Sequence, residues 1–389
     1  LAETLSSEWN GRFVSGMTKA VNGGVYTSQN HETAVYPRNP SLWCADIVNE
    51  LTSISPWNSM HSNKVAGTLI TKRHIITSAH AALSITSTPL TVRFVDANSD
   101  VHTRTIIGSK TSANWSGRSG NRSDFRIYTL DSDLPDSIKP CKIMPSNWEN
   151  YLPDLDTTRP PQLALDQEEK AIVVDLRKMD SDYARGAYPT DASRLIFSEP
   201  FIGGDSGNPS FLIVDPDPND SSISSELVLT YVLTYGGSGA GSPLVDIPLL
   251  NSTIADSDAD ASARSETSTI DTGYTVTEAD FSYYTDYSSL PKEEIVLEQV
   301  GVGTTSQVGV GTTSQVGVGT TSQVGVGTTS SQEETGSPPE EVEPPAERLN
   351  IRLEKNEIYL LAAGILIIYF ILKWVGFFSS ISKYLDGGV

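Results

Sequence analysis

Between residues 63 and 249 the chain advances in short apolar or alternating runs: VAGTLI, HIITSA, LTVRFV, TRTIIG, FRIYTL, AIVVDL, SFLIVD and LVLTYVLTY, separated by stretches rich in Gly, Pro, Asn, Asp and Ser. Runs this short, rich in Val, Ile, Leu, Thr, Tyr and Phe and bounded by turn residues, fit the pleated surface of strands. No long amphipathic helix interrupts them. The expected fold class is therefore all-β, an antiparallel sandwich or barrel, with a core large enough to need no cross-links.

On either side of this block the composition changes. Residues 1–62 form an N-terminal segment, in part a candidate pro-region. Residues 250–298 turn to Ser, Thr, Asp and Glu with a few tyrosines and read as an acidic linker, poor material for a core. QVGVGTTS then occurs four times in succession, from Gln299 to Ser330, followed by a Pro/Glu-rich linker over 331–357. A β-solenoid rung is the competing reading of the repeats, but four short copies bury little, so an extended stalk is expected. Fully stretched, it would reach on the order of 100 Å.

Residues 358–378, IYLLAAGILIIYFILKWVGFF, form the one strongly apolar block. At about 1.5 Å per residue a helix of this length crosses a hydrocarbon core of roughly 30 Å, with Tyr359, Tyr369, Trp374 and Lys373 suited to the interface. The expectation is one transmembrane helix followed by a short tail, 379–389. With Leu1 at the start, the pattern fits a chain from which a leader has been removed, so the head is expected outside the cytoplasm. Acceptor triplets for N-linked sugar at Asn114, Asn121, Asn219 and Asn251 agree with a secretory route. The formal charge is −21, and residues 250–357 carry most of it, with 19 acidic against 5 basic side chains. A nucleic-acid partner is not expected, because no basic stripe exists to neutralise phosphates.

Three stretches inside the strand-rich block carry candidate chemistry. FIGGDSGNPSF, 201–211, packs Ser206 among glycines; VAGTLITKRHIITSAHAA, 65–82, sets His80 just past an apolar run; SDFRIYTLDSDLP, 123–135, puts Asp124 before another. Singly, each reads as an ordinary turn or strand-end residue. Together, the order His80, Asp124, Ser206 matches one of the known triad arrangements and differs from the subtilisin and α/β-hydrolase orders. The α/β-hydrolase elbow fails locally as well, since Asn208 stands where it needs glycine.

At these residues the chain resembles the trypsin/chymotrypsin-like serine proteases. GTLITKRHIITSAHA resembles the family's G-G-S-L-I…V-L-T-A-A-H-C segment, DFRIYTL its D-I-A-L-L, and GGDSGNP its G-D-S-G-G-P, over roughly residues 63–249. The resemblance implies two six-stranded antiparallel β-barrels. It also implies a mechanism in which Ser206 attacks the carbonyl, His80 moves the proton, Asp124 orients the imidazole, and the N–H groups of Gly204 and Ser206 form the oxyanion hole. Neither a metal nor a cofactor is called for.

Further roles follow only from the resemblance. Asp205 would be a buried carboxylate that orders its loop by pairing with a cation. In activated trypsins that cation is a new N-terminus; RFVSG at Arg12–Gly16 and KAVNGG at Lys19–Gly24 are loose matches to an activation site, and a one-chain enzyme in which Asp205 finds another partner is the alternative. Pro200 would lie at the base of the primary pocket, or Glu199 if the alignment slips by one. Thr234, Tyr235 and Gly236 would line the substrate backbone. The family's cysteine after the histidine is Ala81 here and its partner is Val65, so that bridge is absent as a pair. The two cysteines present, Cys44 and Cys141, are expected to bond to each other. The resulting picture is a membrane-anchored serine endopeptidase acting on peptide or protein substrates; the alternative is a catalytically silent, protease-like surface or virion adhesion protein.

Overall fold

A computed structural model of the chain describes residues 23–290, apart from 58, 60–65, 86–89, 116–122, 153–158, 181–182, 218, 221, 235–238, 241–245 and 266–267, together with 306–307 and 322–323. It is mostly β-sheet, with a curled half-barrel sheet and few helices. The first sheet takes β1 (Thr68–Thr71), β2 (His74–Thr77), β3 (Leu90–Val95), β4 (Val101–Thr111) and β5 (Arg126–Leu130), in the order β1-β2-β5-β4-β3, antiparallel throughout. The second takes β6 (Lys142–Ile143), β7 (Pro161–Leu165), β8 (Ala171–Asp180), β9 (Tyr183–Ala187), β10 (Pro209–Val214), β11 (Glu226–Val232) and β12 (Gly239–Ala240), in the order β12-β9-β8-β7-β10-β11-β6. These two sheets thus hold five and seven strands, where six and six were expected; among the described residues a separate two-stranded pairing joins Ser306–Gln307 to Ser322–Gln323.

Both sheets are covered on both faces, which is why their strands read as nearly continuous apolar runs. In the first sheet Ile70, Ile76 and Ile127 enter the main core, while their neighbours Leu69, Ile75 and Tyr128 point the other way into a second cluster with Val92, Phe94 and Ile106. In the second sheet Phe211, Ile213, Leu227 and Leu229 join the main core, and Leu212, Val214 and Val228 pack with Trp148 and Phe281. The period of two along most strands sorts side chains between two dry layers; β4 is the exception, most of its residues being half-buried or exposed.

Two regions expected to lie outside the core are part of it. The N-terminal segment contributes Tyr26, Tyr36, Leu42, Trp43, Ile47, Leu51 and Ile54 to the main core, and the Trp43 indole donates to the carbonyl of Ala171 at 2.9 Å. The expected acidic linker holds a helix, α2 (Ile247–Arg264, 18 residues), preceded in the chain by the single turn α1 (Ala192–Leu195). Asp246 caps α2 by accepting from the Leu249 N–H, and Pro248 sits in its first turn. Leu250, Ile254 and Ala261 face inward, and Gly108 of β4 has no Cβ where Ser257 and Ala261 pass over it. Beyond α2, residues 268–290 strap across the second sheet, exchange backbone hydrogen bonds with Ile143, and bury Phe281, Tyr284 and Tyr287. The folded body therefore runs well past residue 249. The apolar residues of this region are too sparse to declare a core, and its polar ones are buried against partners elsewhere in the chain.

The Cys44–Cys141 bridge is not formed; both remain buried thiols. Cys44 packs with Leu42, Trp43 and Ile47, and Cys141 donates its backbone N–H to Leu69 at the start of β6. Burial pushes the Cys141 thiol well above its ordinary range, leaving no thiolate to begin exchange. Of the sugar acceptor triplets, Asn251 lies on α2 with its side-chain oxygen accepting from the Val276 N–H, so that amide is already used in holding the strap. Among the described residues no helix is long and apolar enough to cross a membrane; the expected span 358–378 and the tail lie outside them, as do residues 1–22, which hold RFVSG and all of KAVNGG except Gly23 and Gly24.

Candidate active site

His80 follows the end of β2 by three residues and Asp124 precedes the start of β5 by two. Because Thr77 and Arg126 are antiparallel partners, the pairing of these strands puts the two side by side just beyond neighbouring strand ends of the first sheet. The Asp124 carboxylate, 1% exposed, accepts from the His80 backbone N–H at 3.0 Å and from Nδ1 at 2.8 Å. An ionised carboxylate only accepts, so Nδ1 carries the proton and Nε2 is left as an acceptor. Nε2 lies 2.8 Å from Ser206 Oγ. The histidine is 26% exposed, open to a ligand on the serine side and closed on the aspartate side.

Ser206 comes from the second sheet, on the turn that enters β10. The turn is tied to the far end of β11 by the Gly207 N–H donating to Leu233 O and the Leu233 N–H donating to Asn208 O, both at 2.8 Å. It reaches the histidine because Gly207 presses against the hydroxyl of Thr77, where a Cβ would collide, and adopts φ +92°, which L side chains avoid. Gly204, two residues before the serine, has φ +117°, with the Gln167 side chain where its Cβ would be. Among the described residues the N–H groups of Gly204 and Ser206 have no acceptor, so both are available to an incoming oxyanion.

Asp205 is buried, and among the described residues its partners are backbone N–H groups. Its carboxylate accepts from the Gln167 N–H at 2.9 Å and the Ile202 N–H at 2.6 Å. Burial raises its pKa, these N–H groups pull it back, and Glu168 and Glu199 add to the rise. One of these backbone donors comes from the turn Asp166–Lys170 between β7 and β8, while the residues of the expected new N-terminus lie outside the described ones. One more contact reaches the same loop from a residue with no motif around it, the Trp57 indole donating to Gly204 O at 3.1 Å, and Trp57 is itself held by its N–H donating to the Glu169 carboxyl. Sequence reading missed Trp57, Gln167 and Glu169, because their link to the loop spans 37 residues or more and leaves no local pattern.

The pocket residues are less fully placed. Pro200 is exposed, Thr234 is buried at the end of β11, and Tyr235 and Gly236 lie outside the described residues. Glu199 forms an ion pair with Lys170, Nζ to Oε2 3.1 Å, so a pocket formed by the one-residue slip would have its charge already matched. Asp131 and Asp133, the nearest substitutes for Asp124, face outward; Asp131 accepts from Thr105 N and Asp133 from the Tyr274 hydroxyl. No cluster of metal-ligating side chains occurs among the described residues.

A second histidine–aspartate pair lies six positions earlier. His74 is 0% exposed, its Nε2 is 3.0 Å from Asp258 Oδ1 on α2, and its Nδ1 is 2.8 Å from Thr71 Oγ1. Thr129 and Thr272 donate to the same carboxylate, and Ser257 joins Thr129 at 2.9 Å. Burial alone would raise the Asp258 carboxyl, but the His74 and Thr272 hydrogen bonds outweigh it and hold the pKa at about 2. No ligand can reach this pair. No protein-family model matches the chain, and no curated protein matches it significantly, so the site is read from its own geometry.

Proposed function

We propose that the chain is a serine endopeptidase of the trypsin/chymotrypsin-like type, its two sheets corresponding to the two barrels of that fold. The observation that carries the reading is the hydrogen-bonded series Asp124–His80–Ser206, assembled from both sheets and open to solvent only at its serine end. Ser206 Oγ attacks the scissile carbonyl while His80 Nε2 takes its proton. Asp124 holds the proton on Nδ1 and stabilises the imidazolium that forms, and the N–H groups of Gly204 and Ser206 receive the oxyanion. His80 then gives the proton to the leaving amine, and water repeats the sequence on the acyl-enzyme. Every group needed is a side chain or backbone N–H of this chain.

The apolar block 358–378 and the repeats 299–330 support a membrane-anchored, stalked arrangement with peptide or protein substrates outside the cytoplasm. The test is labelling of the full chain by a fluorophosphonate. Stoichiometric modification at Ser206, lost in Ser206→Ala and His80→Ala, supports the endopeptidase. A folded chain that takes no label, yet binds a surface ligand saturably, would be the protease-like adhesion protein instead.

A further inference from the structure

We propose that Trp57 is a positioning residue for the oxyanion loop, and that together with the turn Asp166–Lys170 it holds this loop ready for acyl transfer in the uncleaved chain. The inference rests on the protease reading above and says what sets the geometry of that site.

The carbonyl of Gly204 and the N–H of Asp205 belong to one planar peptide unit. The Trp57 indole grips its oxygen at 3.1 Å, while its N–H donates to Ile202 O at 3.2 Å. Two hydrogen bonds on opposite edges of one plane fix its tilt. The N–H groups assigned to the oxyanion hole lie on the two flanking peptides, so their directions follow from this plane and the dihedrals at its ends. A flip of this unit would break both bonds at once. The Asp205 carboxylate, joined to Gln167 N and Ile202 N, restrains the next link, and the Gln167 side chain lies against Gly204.

Trp57 is itself held. Its N–H donates to the carboxyl of Glu169, which is 0% exposed. Glu169 stands at φ +58°, a conformation a residue with a side chain keeps only where its surroundings enforce it. Here the Asp166 carboxylate takes the N–H groups of Glu168 and Lys170, the Glu169 N–H donates to Asp166 O, and the Glu169 carbonyl accepts from Val25 at 2.8 Å. Burial raises the Glu169 carboxyl to about 8, the Trp57 hydrogen bond opposes this, Asp166 adds to it and Arg38 reduces it. A carboxyl neutral at ordinary pH requires no counter-ion. The loop is thus braced from one side by an indole and a β-turn, with no demand for the ammonium group that an activation cleavage would create.

The experiment measures saturation kinetics of fluorophosphonate modification at Ser206 in the full chain, with the N-terminus of the labelled species read by mass spectrometry. Trp57→Phe keeps the ring and removes the indole N–H. The expected result is a maximal modification rate lower by about 10-fold, a fraction of what loss of a direct oxyanion donor costs. Probe affinity should stay within about 2-fold of wild type, which loss of fold would not allow. The labelled wild-type chain should begin upstream of Phe13. An unchanged rate in Trp57→Phe, or labelling confined to chains starting at Phe13 or Ala20, overturns the proposal while leaving the protease reading in place. Absence of label in folded wild type overturns both. Should Trp57→Phe unfold, 15N-tryptophan labelling of the wild-type chain decides: slow exchange of the Trp57 indole proton with water supports the brace, and fast exchange overturns it.

Discussion

Six residues apart in the chain, His74 and His80 each bring a ring nitrogen to a buried aspartate and the other nitrogen to a hydroxyl. The chemical parts are nearly the same: Asp258 and Thr71 for one, Asp124 and Ser206 for the other. What differs is access. His74 is fully enclosed between β1, β5 and α2, so its pair can only fasten the helix to the sheet. His80 sits past the strand end, where one ring edge meets solvent and a substrate can approach. A histidine–aspartate pair can therefore be a hinge pin or, as proposed here for His80, a proton relay, according to what lies on its far side.

The comparison is broken most severely at Asp124. Asp124→Asn should lower turnover, or the rate of Ser206 labelling, by roughly 10⁴-fold with the thermal midpoint nearly unchanged, because the imidazole loses the acceptor that fixes its tautomer. A small loss of rate with a large loss of stability would make this pair structural too.

The opposite outcome is expected at the other pair. Asp258→Asn should leave the labelling rate intact and cost about 3 kcal/mol of stability in denaturant titration, since His74, Thr129 and Thr272 lose a buried charged acceptor. The sign of its pH dependence is fixed by the depressed pKa. Stability from Asp258 is fully present above its ordinary value near 3.8 and drains away as pH falls towards about 2. The acid limb of the wild-type stability curve should therefore be steeper than that of the variant over this window.

A smaller effect comes from the surface on which α2 rests. Gly108→Ala would push a methyl into Ser257 and Ala261, and should cost about 2 kcal/mol, again without touching the rate of labelling.

An effect that depends wholly on pH concerns a buried acid that has no histidine beside it. Glu169 is raised from 4.5 to about 8, so the folded state favours its protonated form. Its contribution is present at low pH and declines as pH rises from about 4.5 through about 8. Glu169→Gln should therefore be more stable than wild type at pH 8, by several kcal/mol if the whole shift is realised, with the gap closing towards pH 4. A gap that widens on acidification would show that the carboxyl is ionised in the fold.

The residues proposed as a triad were legible because each of them sits in a short stretch with its own signature. The glycines around Ser206, the strand end before His80 and the strand start after Asp124 are all local, and chain order did the rest. The strands were legible for a similar reason, their period surviving even where both faces are buried. Helix α2 was not, although Leu250, Ile254 and Ala261 share one face, because Thr253, Ser257 and Asp258 share it too. Ser257 and Asp258 are tolerable inside only through partners such as His74 and Thr129, more than 120 positions away. Trp57 and Glu169 escaped on the same grounds. The disulfide expectation rested on the resemblance alone, and a matching position does not supply the sulfur-to-sulfur geometry that a bridge needs.

The most direct test of the account is the site of covalent modification in the full chain. After exposure to a fluorophosphonate and digestion, mass spectrometry should place one equivalent of label on Ser206, with none in His80→Ala and normal labelling in Asp258→Asn. A folded wild-type chain that stays unmodified, or carries its label on another serine, would contradict the assignment of Asp124, His80 and Ser206 as a working triad.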